Sequence, residues 1–285
     1  MQESQNLRLI TEKITGLPTL PTVITKLTML LQDPHTSAEE VGKAITNDQA
    51  LASKVLKLVN SAFYGFPGRI NTITHAIVIL GFGTVKNIVL TASIFDSFGG
   101  KSESGAFDVE KFWLHSISVG AAAKTIAQNI HFKSQEECFL GGLLHDMGKI
   151  ILCQYMKKET AQIVMTVTKK NCLFIEAEKD VLGATHVELG GWLATKWNLP
   201  KDLQSAIELH HHPHAAKEHP VITSVVHLAD ILVRALGIGS GGDKKIPFLN
   251  PDAWAKLNLK EQQLPKLLSE IEEEVEKAKI FLSIM

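Results

Sequence analysis

The sequence predicts an all-α protein, and three observations carry that expectation. Nearly every long segment places its apolar residues at helical period. No run shows the strict alternation of a half-buried strand. Helix start and stop signals recur at sensible spacing along all 285 residues.

Taken in order, the N-terminal stretch MQESQNLRLITEKITGLPTLP lacks a basic region followed by an apolar one, so it does not read as a secretory signal. Ser37 and Glu40 form a capping-box pattern ahead of Val41, Ile45, Leu51, Val55, Leu58 and Val59. The segment HAIVILGFG is the longest apolar stretch, and its glycines argue against a membrane span. GFGTVK (81–86) reads as a turn between helices. The polar, glycine-rich stretch 98–108 reads as a joint, with Asp108 as N-cap of a buried helix, FWLHSISVGAAAKTIA.

Ser134 with Glu137, and Thr185 with Glu188, repeat the capping-box pattern before GGLLHDMGKI and GGWLATKW. Pro200 and Pro220 suit first helical positions, and Gly237 closes the helix that Pro220 opens. Residues 237–247 read as a flexible loop. Its glycines resemble a phosphate loop, but the GK[ST] ending is missing. A charged helix within 261–281 follows. It offers a docking surface, although packing back on the domain is the preferred reading.

Composition narrows the function. Hydrophobic residues make up 45% and charged residues 21%, which describes a globular chain. With 29 basic against 30 acidic residues and 6% aromatics, nothing favours general attraction to nucleic acid or anionic lipid. Cys138, Cys153 and Cys172 form no CxxC pair and read as buried thiols of a reducing compartment, so a cytoplasmic location is expected.

Polar groups inside apolar helical segments carry the chemistry. His145 and Asp146 stand side by side in GGLLHDMGKI, where burial is costly unless something pairs with them. Each candidate has a plain explanation. His115 could be a hydrogen-bonded core histidine, and His186 a solvent-exposed residue in a first helical turn. His210, His211 and His212 could complement a helix dipole. Asp230 could serve only as the i,i+4 partner of Arg234. Yet five successive helical segments deliver His115, His145 with Asp146, His186, His210 with His211, and Asp230. Imidazole and carboxylate together suit Fe, Mn, Zn or Ni, and the absence of cysteine argues against a closed structural zinc site. One or two divalent ions are expected.

The order His, HD, Asp resembles the HD phosphohydrolase superfamily. Within it, LPTLPTVITKL, ITNDQALASKVLKLVNSAFYG, INTITHAIVILGFGTVKN, FWLHS, THVELGGWLATKWNLP and AIELHHHP are similar to the HDOD family, the HD-related output domains of bacterial signalling proteins. The resemblance implies two helical lobes: an N-terminal lobe over 1–103 and a divergent HD-type bundle over 104–240, with residues 241–285 packing on the domain. It implies His115, His145, Asp146 and Asp230 as primary ligands, and His186, His210 and His211 as the additional ligands of the related HD-GYP phosphodiesterases. PHAAKEHP replaces the GYP-type segment, and Lys111 stands where some of those enzymes place a bridging carboxylate. Partners would be signalling proteins, such as receiver or cyclic-dinucleotide proteins, acting in trans.

Three functions stay open on these grounds. A regulatory interaction module is preferred over a metal-dependent phosphohydrolase acting on a nucleotide or other phosphoester. In the hydrolase, Asp146 would bridge metals or orient a hydroxide, and Lys149 would hold a phosphate oxygen, unless Lys149 is simply a solvated side chain. A nucleic-acid-binding regulator comes last, given the charge balance.

Overall fold

The computed structural model describes residues 5–14, 16–17, 19–98 and 107–284. The described residues contain helices and no strand. In chain order the α-helices are α1 (Gln5–Lys13), α2 (Thr22–Leu30), α3 (Ala38–Thr46), α4 (Gln49–Val59), α5 (Ile73–Phe98), α6 (Val109–Asn129), α7 (Gln135–Leu144) and α8 (Met147–Tyr155). They continue with α9 (Lys157–Lys170), α10 (Phe174–Leu182), α11 (His186–Lys196), α12 (Lys201–Leu209), α13 (Pro220–Ala235), α14 (Pro251–Leu257) and α15 (Leu264–Ala278). A 3-10 segment, Lys279–Ile284, follows α15.

The chain forms two units, and each draws on two stretches where the sequence suggests contiguous lobes. The smaller comprises Pro18–Gly100 with Glu276–Met285, the larger Met1–Leu17 with Lys101–Val275.

In the smaller unit α3 and α4 pack on α5. The capping box at Ser37 is present: its Oγ accepts from the Glu40 N–H at 3.2 Å, and the Glu40 carboxylate accepts from the Ser37 N–H at 2.9 Å. Phe63 meets Phe281 of the C-terminal segment edge-to-face, with ring centroids 5.3 Å apart. The expected turn at 81–86 is a break inside α5, at Gly81 (φ 83°). Taken from end to end, α5 is 26 residues long and apolar enough to meet the length and composition of a membrane span. Gly81 divides that length into two helical stretches, as the glycines suggest, and 56% of its most apolar window is buried within the protein.

In the larger unit α6, α7, α12 and α13 pack around one another, and α8 packs against α11. Asp108 caps α6 as expected, accepting from the Lys111 N–H at 3.0 Å. α6 is buried nearly all round from Phe112 to Ala127. It approaches α7 closely, because a Cβ on Gly142 would stand 2.7 Å from the Val119 carbonyl oxygen. Two start signals behave differently from expectation. Ser134 occupies the N-cap of α7 without a capping hydrogen bond. Pro200 is itself the N-cap of α12, whereas Pro220 holds a first-turn position of α13 as expected. Of the joint at 98–108, residues 99–106 lie outside the described residues.

Candidate metal centre

Helix ends place most of the site. His145 is the C-cap of α7 and Asp146 the N-cap of α8. His186 is the first residue of α11, and His210 the C-cap of α12 with His211 next. His115 and Asp230 come from the middles of α6 and α13. Six of these seven side chains are buried, and His211 is half-buried. The first-turn position of His186 therefore does not expose it.

The two C-cap histidines use one device. His145 Nδ1 donates to the Gly142 carbonyl at 2.6 Å, and His210 Nδ1 donates to the Ile207 carbonyl at 3.0 Å. Each satisfies a carbonyl that the ending helix leaves without an intrahelical donor. A carbonyl can only accept, so the proton sits on Nδ1 and the Nε2 lone pair faces inward. His186 is oriented by a carboxylate instead. Glu178 Oε2 accepts from its Nδ1 at 2.6 Å and its backbone N–H at 3.0 Å.

The inward atoms converge. Asp146 Oδ1 lies 3.1 Å from His186 Nε2 and 3.7 Å from His210 Nε2. Its Oδ2 lies 3.3 Å from His145 Nε2 and 3.9 Å from His115 Nε2. Asp230 Oδ1 lies 3.1 Å from His115 Nε2, and His211 Nε2 lies 3.2 Å from His186 Nε2. Two overlapping groups result, one of Asp146, His186, His210 and His211, the other of His115, His145 and Asp146, each with its ligand atoms within 4.8 Å of one another.

Whether these residues suit a metal can be judged from the unpaired atoms. His145 Nε2, His210 Nε2 and Asp146 Oδ1 are buried without a hydrogen-bond partner. Each such acceptor costs about 1–3 kcal/mol when nothing satisfies it. Several acceptors facing one point are satisfied together by a cation. His227 makes the contrast: its Nδ1 donates to the His210 carbonyl at 2.7 Å, and its Nε2 accepts from the Asn250 N–H at 3.0 Å. No lone pair is left on that ring, and it is no ligand.

Electrostatics follow from the burial. Burial alone would raise the Asp146 carboxyl, but His145, Lys149 and His186 outweigh it and hold the group well below the usual carboxylate range. Burial likewise opposes ionisation of Asp230, and Arg234 with His115 overcomes it. His210 and His211 are held well below the ordinary imidazole range, first by burial and then by neighbouring histidines.

Lys149 is not a solvated side chain. It is buried, with Nζ 2.6 Å from Asp146 Oδ2 and 2.8 Å from the Gly241 carbonyl oxygen. The loop expected to be flexible is pinned to the site. Ser240 N–H donates to the Lys111 carbonyl at 3.0 Å, and a Cβ on Gly239 would stand 2.4 Å from His115 N. Asp243 accepts from Arg234 at 3.1 Å and from the Phe174 N–H at 2.9 Å. Arg234 also keeps its expected pair with Asp230, at 2.8 Å.

The structure brings six of the seven sequence candidates into the two groups and leaves Asp230 beside them against His115, while the supports behind them were not foreseen. Glu178 carried a signal, since it follows Phe174 by four residues and so puts a carboxylate on the apolar face of α10. Nothing local announced Asp243 or Gly241.

Fold and site together define an all-helical protein of the HD type, with a buried histidine–aspartate centre. The chain belongs to the HDOD domain family, whose sequence profile matches residues 17–213. That match ends before Asp230, Arg234 and the loop. An HDOD domain protein of unknown function from Geobacter sulfurreducens is 26% identical, covers 97% of each chain and superposes with a TM-score of 0.83. A protein of Shewanella amazonensis SB2B, named provisionally as a phosphohydrolase, is 22% identical with a TM-score of 0.75, covering 99% of this chain and 98% of its own. An uncharacterized protein of Treponema pallidum (strain Nichols) is 24% identical over 229 residues, 80% of this chain. The matched region spans 44% of that longer relative.

Proposed function

We propose that this HDOD protein is a bacterial regulatory module acting through protein contacts, with a divalent transition ion held in the His/Asp centre for architecture rather than turnover. The observation that carries the reading is the closure of the centre. Lys149 and the Gly241 carbonyl stand against Asp146, and six of the seven ligand candidates are buried. A phosphoester must reach its metal-bound nucleophile, and this arrangement leaves it little approach.

Contact with a partner has its own support. Beyond the pinned loop, Ile246, Phe248 and Leu249 are exposed, Phe248 by 97%. Such an apolar cluster is unusual on a lone surface. Being continuous with the loop, it offers a partner mechanical access to the centre. The partners would be receiver or cyclic-dinucleotide proteins in trans, in the cytoplasm.

The complete ligand set favours one second reading, a metal-dependent phosphohydrolase. A bound ion would there supply Lewis acidity and a hydroxide near neutral pH. Asp146 would orient that nucleophile, and Lys149 would have to leave Gly241 to meet a phosphate oxygen.

The test is metal content by elemental mass spectrometry on untagged protein, with melting and phosphodiesterase assays. The expected result is bound metal, a melting temperature that a chelator lowers, and no turnover. Hydrolysis that Asp146→Ala abolishes would establish the second reading in its place.

A further inference from the structure

The two halves of the centre are not equivalent, and the difference lies in the protein's own cations. In the half formed by His115, His145 and Asp230, every carboxylate oxygen near the imidazoles already carries one. Lys149 Nζ sits 2.6 Å from Asp146 Oδ2, and Arg234 Nε sits 2.8 Å from Asp230 Oδ1. Neither is free to swing away. Lys149 is held by the Gly241 carbonyl and lies over the Phe174 ring, 5.3 Å from its centroid. Arg234 is held by Asp243. Gly239 and Gly241 close over His115, the latter's Cβ position lying 3.5 Å from His115 Nε2.

The other half differs in its carboxylate oxygen and not in its imidazoles, since His115 Nε2 and His145 Nε2 are unpaired as well as His210 Nε2. Asp146 Oδ1 has no hydrogen-bond partner and carries no cation of the protein's own. His186 and His211 turn their Nε2 atoms toward each other at 3.2 Å, an approach that needs a proton or a cation between them. Among the described residues no lysine or arginine pairs with Asp146 Oδ1 or with the three imidazoles, Lys149 engaging only Asp146 Oδ2, and Glu178 behind His186 adds negative charge. His211 is half-buried, the one ligand candidate of the seven that is not fully buried.

We infer that the centre takes one divalent ion, held by Asp146, His186, His210 and His211, while Lys149 and Arg234 stand in for a second ion beside His115, His145 and Asp230. This rests on the metal-holding reading above. A dication placed on Asp146 Oδ2 or Asp230 Oδ1 would meet an ammonium or a guanidinium at contact distance, in a buried site where the repulsion is weakly screened. Three imidazoles and one carboxylate oxygen form a coordination set common to Zn, Fe and Mn, and match what this half offers.

Cobalt(II) loading of untagged, metal-stripped protein tests this. Elemental mass spectrometry should give one ion per chain, and X-ray absorption on the unmodified protein should count three imidazoles on it. His211→Ala should lose at least tenfold in affinity, while His115→Gln stays within threefold. Two ions per chain, or one ion with two imidazoles, would overturn the assignment yet leave the metal reading standing. Loss of the ion in His115→Gln but not in His211→Ala would do the same. No ion bound to the folded unmodified protein would overturn both. The absorption measurement needs no variant, so the outcome does not hang on a substituted centre folding.

Discussion

Gly148 carries more of the site than its lack of a side chain suggests. It lies in the first turn of α8, two residues after Asp146, against the start of α11. A Cβ there would stand 2.0 Å from the His186 carbonyl oxygen and 2.8 Å from its carbon. Ordinary contact begins near 3.4 Å, so Gly148→Ala forces the two backbones apart by about 1.4 Å. Both obstacles are main chain and cannot rotate aside. Overpacking of this kind costs about 1–3 kcal/mol, and the upper end applies here. Alanine's better helix propensity returns up to about 1 kcal/mol, leaving a net loss of about 2 kcal/mol. The displacement acts directly on His186, whose Nε2 lies 3.1 Å from Asp146 Oδ1. Metal sites tolerate about 0.2 Å, so affinity should fall at least tenfold. Urea unfolding followed by circular dichroism gives the first number, and elemental analysis after dialysis the second. Gly83→Ala is the control, because its Cβ would meet nothing within 4 Å, so only the favourable helix propensity of alanine should be felt. A Gly148→Ala protein within 0.5 kcal/mol of the parent and still metallated would refute the reasoning.

Three further outcomes are expected. Metal-free protein should lose stability as pH falls from 6.5 to 5: burial depresses His115, His210, His211 and His227 in the fold, so the unfolded chain binds more protons below about 6.5. Each contributes a slope of about 1.4 kcal/mol per pH unit down to its folded pKa; the raised His186 adds a constant in that window, and the depressed Asp146 and Asp230 act only below about 3.9. A flat melting temperature across pH 5–6.5 would contradict this. Glu178→Gln should weaken metal binding by about 10–100-fold, the usual effect of losing a carboxylate behind a ligand histidine; competition with a chromophoric chelator measures it, and unchanged affinity would count against the role. Burial pushes the Cys153 thiol up to about 12 and raises Cys138 as well, so a thiol reagent at pH 8 should label only Cys172 in the folded protein, as mass mapping of the adduct would show.

How much of this was legible beforehand depends on the range of the interaction. Most signals within one turn translated directly: Ser37 with Glu40, Asp108 with Lys111, and Arg234 with Asp230 pair as their spacing suggests, whereas Ser134 takes its N-cap position without the capping bond. The seven ligand candidates were legible by residue type, since histidine and aspartate in apolar helices need an explanation wherever they land. Their supports were not. Lys149 is one turn from His145 whether it points inward or outward, and only Gly241, 92 positions away, decides. Asp243 looked like part of a mobile polar loop, because its partners Arg234 and Phe174 meet it only in the folded unit. The glycine contacts are equally silent, as a close approach leaves no mark on either helix alone.

The pairing of Phe63 with Phe281 has a consequence for how the molecule is made. Its two rings are separated by 218 positions in the chain. At about 5–20 residues per second, a ribosome needs roughly 10–45 seconds to travel from one to the other. Through that interval the smaller unit, begun early, lacks its last aromatic side chain, while most of the larger unit is still being synthesised. The smaller unit therefore stays unfinished on the side that Phe281 fills until long after its first helices have left the ribosome.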